Sequence, residues 1–346
     1  DDDAGSDPDD DDDHGGDDDD DDTCGGGDGD GNGSGDGDGD GGETPLPVAA
    51  RTLIGTSQAD VLLGAALADV LLGGGGGDIL SGDAGSDVLR GEDGDDVLSG
   101  GDGDDVASGG SGDDEIHGGA GADMLFGNGG DDLIYGDAGN DVIEGGAGAD
   151  KAWGGAGDDI VLATKGDGDD SYWGGEGSDT LDYSTATGNL TVDLGNGFMG
   201  RGQVSGVEVG TDTVYGFENF IGGSGHDVIT ASNAVNVIDG GLGDDVFRFT
   251  SIAAADGDTI YGFAPGDRID FSSIDANTGQ AGLQHFTLSA GTTLSGAGQI
   301  VVTHETRDGE DVTVIRGSVD ADPDADFELA VAGTHNLKAA DFNGVS

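Results

Sequence analysis

Twelve aspartates stand nine residues apart, Asp60 through Asp159, without a slip. Glycine lies five residues before every one of them, Gly55 through Gly154, and two residues before the last ten, Gly76 through Gly157. Asp offers a short side chain ending in hard oxygen donors. Glycine tolerates positive φ and lets backbone carbonyls turn toward a ligand. Hard oxygens from side chain and backbone together suit calcium. Few bases answer these acids: the 346 residues hold 74 Asp+Glu against 10 Lys+Arg, a formal charge of −64. Cation coordination is the chemistry this spacing offers.

Such carboxylates need elements to hold them in line. Two residues after each Asp comes Leu, Ile, Val or Ala, from Leu62 and Leu71 through Ala152 and Val161, and never a charge. The position just before it does accept Glu115 and Lys151. One position therefore faces a core and its neighbour faces water. Six residues of Gly and Asp make a turn, and three make a short strand. Two units make a coil of about eighteen residues, as in other solenoids. Asp96 then lies beside Asp114, and Asp105 beside Asp123. A two-residue insertion, Ala163-Thr164, precedes units ending at Asp170 and Asp179, and three later units end at Asp227, Asn236 and Asp245. The Asn236 unit lacks its glycines and reads as a degenerate coil.

The stretches GGDGDDVAS, GGSGDDEIH, GGAGADMLF and GGAGDDIVL fit the nonapeptide G-G-x-G-x-D-x-U-x, which resembles the calcium-binding repeat of RTX proteins. The chain resembles that family over about 135 residues in two blocks. The resemblance implies an all-β fold, a parallel β-roll that forms a calcium-binding solenoid, with several Ca2+ ions between stacked turns. It also implies the ligands. The carboxylates are Asp78, Asp87, Asp96, Asp105, Asp114, Asp123, Asp132, Asp141, Asp150, Asp159, Asp170, Asp179, Asp227 and Asp245. The carbonyls are those of turn glycines Gly94, Gly103, Gly112, Gly121, Gly130, Gly139, Gly148 and Gly157.

The rest of the chain frames the roll. Residues 1–50 are an Asp/Gly-rich tail without apolar periodicity, expected to be disordered. Its window from Asp28 imitates an EF-hand loop but places Gly39 where a bidentate Glu is needed. Residues 51–182 form the main repeat block. Residues 183–220 read as a β connector continuing the solenoid, with strands at 189–194 and 212–220. Residues 221–245 are a second short repeat block. Residues 246–346 alternate as a β-rich cap. Asp258-Thr259-Ile260, Asp267-Arg268-Ile269-Asp270, Asp326-Phe327-Glu328-Leu329 and Asp341-Phe342 make that cap similar to the C-terminal region of serralysin-type metalloproteases. The similarity implies a type I secretion signal, and hence the type I secretion apparatus as a partner during export.

Composition excludes several functions. So acidic a chain does not bind nucleic acid. The longest apolar stretch, from Val61, is broken by Asp69 and glycines and cannot span a bilayer. The single Cys24 rules out an internal disulfide. His304-Glu305 lacks the second His that a zinc protease helix carries, and no other catalytic constellation stands out. A pore-forming toxin would require an apolar insertion domain. The expectation is a non-enzymatic, secreted, extracellular calcium-binding protein with a structural, adhesive or surface role, with cell-surface polysaccharide as a candidate partner. The alternative is an accessory and secretion region of a larger secreted enzyme, a serralysin-type protease or epimerase. The start at Asp1 rather than Met suits processing or a longer parent.

Overall fold

A computed structural model describes residues 49–195 and 200–346. The expected tail lies outside them apart from its last two residues. Successive strands alternate between two long sheets, one of fifteen strands and one of fourteen. Val88–Asp93 pairs in parallel with Val106–Ser111 in the first sheet, and Val97–Asp102 with Glu115–Ala120 in the second. Each coil thus contributes one strand to each sheet. The chain is an all-β parallel solenoid, as the nine-residue period required. Among the described residues its only helical element is a 3-10 turn at Ala339–Asp341, and no helix is long and apolar enough to cross a membrane.

The core is one column of side chains per sheet. Leu89, Leu98, Ile116, Leu125, Ile134 and Ile143 are all fully buried. Their chain neighbours Val97 and Met124 are 40% and 46% exposed, as strand alternation demands. On the outer face of the second sheet, His117, Tyr135, Trp153, Trp173 and Tyr215 stack across five adjacent strands. Their ring centroids are 4.5–5.3 Å apart and their planes within 10° of parallel.

The connector continues the sheets unequally. In one, Thr180–Asp182 passes directly to Asn219–Ile221 in parallel pairing. In the other, Gly210–Tyr215, Gly202–Gly206 and Leu190–Asp193 form an antiparallel meander between Ser171–Glu176 and Val228–Thr230. The strand expected at 212–220 is two strands, because the chain crosses from one sheet to the other between Tyr215 and Asn219.

Parallel pairing runs on through Val246–Arg248 to Arg268–Asp270. The fifteen-stranded sheet then runs through Phe327–Ala332, Glu310–Ser318 and Gln299–Arg307, antiparallel to one another, and ends at Thr287–Leu288. Phe342–Asn343 closes the other. Phe271 sits at the end of the core against Phe286, Phe327 and Phe342, with centroids 5.3–6.1 Å away.

Candidate metal centres

Each repeat Asp closes the turn of the preceding coil. The backbone N–H of Asp78 donates to Asp96 Oδ1 at 2.6 Å, that of Asp96 to Asp114 Oδ1 at 2.8 Å, and that of Asp114 to Asp132 Oδ1 at 2.8 Å. The other edge of the roll repeats this through Asp87, Asp105, Asp123 and Asp141. One carboxylate oxygen is thereby satisfied and fixed.

The second oxygen is not. Oδ2 of Asp78, Asp87, Asp96, Asp105, Asp114, Asp123, Asp132, Asp141, Asp150, Asp159, Asp179 and Asp227 is buried without a hydrogen-bond partner. A buried, unpaired carboxylate oxygen is costly, and here it recurs at nearly every coil. Burial, opposed by the backbone bond and reinforced by like-charged neighbours, raises Asp105 and Asp132 to about 6 and Asp114, Asp141 and Asp150 to about 7.

Backbone oxygens face the same space. A Cβ placed on Gly91 would lie 2.1 Å from Asp96 Oδ2 and 2.6 Å from the carbonyl oxygen of Gly109 in the next coil. Carboxylate and carbonyl thus border one point, which only glycine leaves open. The fourth-position glycines form a second row. Gly103 has φ of 133°, and a Cβ there would lie 2.2 Å from the carbonyl oxygen of Gly85. Gly94, Gly112, Gly121, Gly130, Gly139, Gly148 and Gly157 share this positive φ. No three His, Cys, Asp or Glu side chains among the described residues stand as a ready-made cage. The arrangement here offers one carboxylate oxygen and several carbonyls per turn, the mixture calcium accepts.

Units without the fourth-position glycine behave differently. Asp60 Oδ2 accepts the Thr56 N–H at 2.6 Å, and Asp69 Oδ2 the Ala65 N–H at 2.7 Å. Asn236 Oδ1 likewise accepts the Ser232 N–H at 2.9 Å. These turns fold back onto their own acid or amide and occupy that oxygen. Asp170 is a further exception, since its Oδ2 accepts the Tyr172 hydroxyl at 2.8 Å. Asp245 Oδ1 accepts the Asp227 N–H at 2.8 Å, in register.

Four acids outside the nonapeptide spacing take the same place in the ladder. Asp212 accepts the Asp170 N–H, Glu218 that of Asp179, Asp258 that of Asn236 and Asp267 that of Asp245. Asp258 Oδ2 is also buried and unpartnered. The signal was an acid two residues before a buried apolar side chain: Val214, Phe220, Ile260 and Ile269. Glu305 has another role. Arg307 and Arg316 bond its carboxylate at 2.7–2.9 Å and hold it below the usual range, tying two cap strands together.

Two family models match. The RTX calcium-binding nonapeptide repeat matches in overlapping stretches from residue 52 to 167. The serralysin C-terminal model of peptidase family M10 matches residues 170–343, half of the chain. The chain belongs to the RTX family. Its second half is a serralysin-type C-terminal region, in which Asp170, Asp212 and Asp258 lie. Among solved structures, this RTX chain is similar to the AlgE6R3 subunit of the Azotobacter vinelandii mannuronan C5-epimerase. That match has 22% identity, covers 68% of this chain and 79% of that one, and has a TM-score of 0.17. The search of curated proteins returned no match.

Proposed function

We propose that this RTX protein is secreted, folds outside the cell as calcium fills its turns, and then serves a structural, adhesive or surface role. One observation carries the reading: the row of buried Asp Oδ2 atoms without a hydrogen bond, most of them beside a backbone carbonyl of the next coil. In this reading each ion sits between turns. It takes Asp Oδ2, first-position carbonyls such as those of Gly91 and Gly109, and the fourth-position carbonyls of Gly94 through Gly157. Tail, main repeat block, connector, second block and cap divide near residues 50, 182, 220 and 245. The cap carries the type I export signal. Cell-surface polysaccharide is the proposed target.

Far-UV circular dichroism tests the folding step. Titrating calcium to ~10 mM, above the affinities usual for extracellular modules, should bring a cooperative gain of β signal. Magnesium should not, because it demands near-ideal octahedral geometry and gives up water reluctantly. An equal response to both ions would reduce the repeats to a screened polyanion.

The match to a serralysin C terminal supports a second reading, in which this region belongs to a larger secreted protease or epimerase. The intact mass of the native secreted protein separates the two.

A further inference from the structure

We propose that the outer face of the second sheet is a binding ledge for an uncharged polysaccharide, built from Trp153, Trp173, Tyr215 and the glycines beside them. The inference rests on the polysaccharide target proposed above and gives that target a place on the molecule.

Stacking the coils does not require the aromatic row. In the other sheet the matching outward residues are Arg90, Ser108, Phe126, Glu144 and Leu162, with no aromatic run. Those strands pair in the same parallel register. The rings of the second sheet are half-buried and stand outside the core. Stacking turns their faces to one another, so solvent meets an apolar ridge of ring edges. Their polar tips are free as well. Inside the roll, Tyr172 and Tyr183 give their hydroxyls to Asp170 and Asp212, whereas among the described residues the outer Tyr215 hydroxyl and the indole N–H groups of Trp153 and Trp173 have no protein partner. An aromatic ring with an apolar body and an unpaired polar tip is a typical contact group.

Beside the ridge the chain runs through glycine. Gly155, Gly174, Gly175 and Gly216 floor a hollow of about 140 Å³ walled by Trp153, Trp173 and Tyr215. A polar row lies parallel to the rings. Lys151, Ser171 and Thr213 are paired in register, two residues before the ring residues and so on the same face. Arg201 extends this row, its Nη2 donating to Thr213 Oγ1 at 3.3 Å.

A sugar ring is apolar across its C–H faces and polar around its rim. The ledge offers apolar surface in one row and hydrogen-bonding groups in the next, repeated from strand to strand along the roll. An extended polymer suits it better than a compact ligand. Charge narrows the class. The chain holds 74 acids, yet the outward side chains of these three strands include no carboxylate before Glu176 at a strand end. A polycation would find stronger attraction elsewhere on the molecule. A polyanion laid along the row would meet Glu115 and Asp137 around His117 at one end. At the other end it would meet Asp193, which shares a hollow with Arg201. A second copy would bring another formal charge of −64. An uncharged glycan meets none of these penalties.

The test screens the full chain, loaded with calcium, against an array of immobilised uncharged and acidic glycans. The proposal expects binding to uncharged chains, weakened about tenfold or more in Trp173→Ala, as loss of an aromatic anchor does. Tyr261→Ala removes an exposed ring from the other sheet and should bind as wild type does. Should Trp173→Ala lose its β signal, Tyr215→Ala replaces it, because Tyr215 stacks on Trp173 alone among the described residues. Binding that survives the ring substitution, or that is confined to acidic glycans, sinks this inference and leaves the polysaccharide target standing. Binding to no glycan sinks both. A calcium-loaded dimer that Trp173→Ala dissociates would give the row to a second copy and overturn the proposal.

Discussion

At the residue scale, glycine and aspartate divide the labour. Gly103 must adopt positive φ and must leave room for a carbonyl from the coil before it. Replacing it with Ala should cost on the order of 3 kcal/mol, since backbone strain and a backbone clash add. The thermal midpoint in calcium would read that loss. Glu92 is the converse case. It is exposed and holds φ of 78° at a second turn position where Gly101 and Gly110 serve elsewhere. Glu92→Gly should raise stability by about 1 kcal/mol through relief of that strain; an unchanged midpoint would refute the strain. The repeat acids were legible because a constant spacing exposes them. Asp212, Glu218, Asp258 and Asp267 were not, because loops stretch their separation from their ladder partners to 42, 39, 22 and 22 residues. The open state of Oδ2 was legible only indirectly, through the fourth-position glycine whose absence at Asp60 and Asp69 closes it.

At the scale of elements, the strands were readable because core and surface alternate within three residues. The cap motifs around Ile260, Ile269 and Phe327 are strands, at Thr259–Tyr261, Arg268–Asp270 and Phe327–Ala332. Their pairing was not readable. The antiparallel meander reverses direction at turns that no nine-residue period describes. The aromatic row was hidden for a related reason. His117, Tyr135 and Trp153 are eighteen apart, yet Trp173 and Tyr215 join them only once the insertion and meander are in place. Trp153 stacks on both sides, at 4.7 Å and 4.5 Å. Trp153→Ala should therefore cost about 1–3 kcal/mol beyond its lost area, from two aromatic pairs. The near-UV circular dichroism of the folded protein should weaken in parallel. A silent substitution would make the row decoration rather than support.

At the scale of the whole molecule, charge governs when the roll can exist. Burial raises the repeat carboxylates in the folded chain, to about 7 at Asp114 and Asp141, above their ordinary value of 3.8. Between those values the folded state binds more protons than the unfolded one, so stability falls as pH rises through that window. In chelator, β signal should therefore grow as pH drops from about 8 toward 4 and vanish on return. Calcium should show the reverse dependence, because protons compete for the same oxygens. A metal-independent fold at pH 8 would contradict both.

The buried sixth-position carboxylates along the edges all point one way. Each receives the amide of the coil before it, while the exposed acids just before them, such as Asp95, Asp104 and Asp113, receive amides of the coil after. The buried amide of a coil is therefore paired by its successor, and the final successors, Asp258 and Asp267, stand against the cap. The molecule behaves like a row of shingles laid from one end. A chain that emerged with its C-terminus leading would set every new coil onto a finished seat. A chain that emerged the other way would leave each coil waiting for the next.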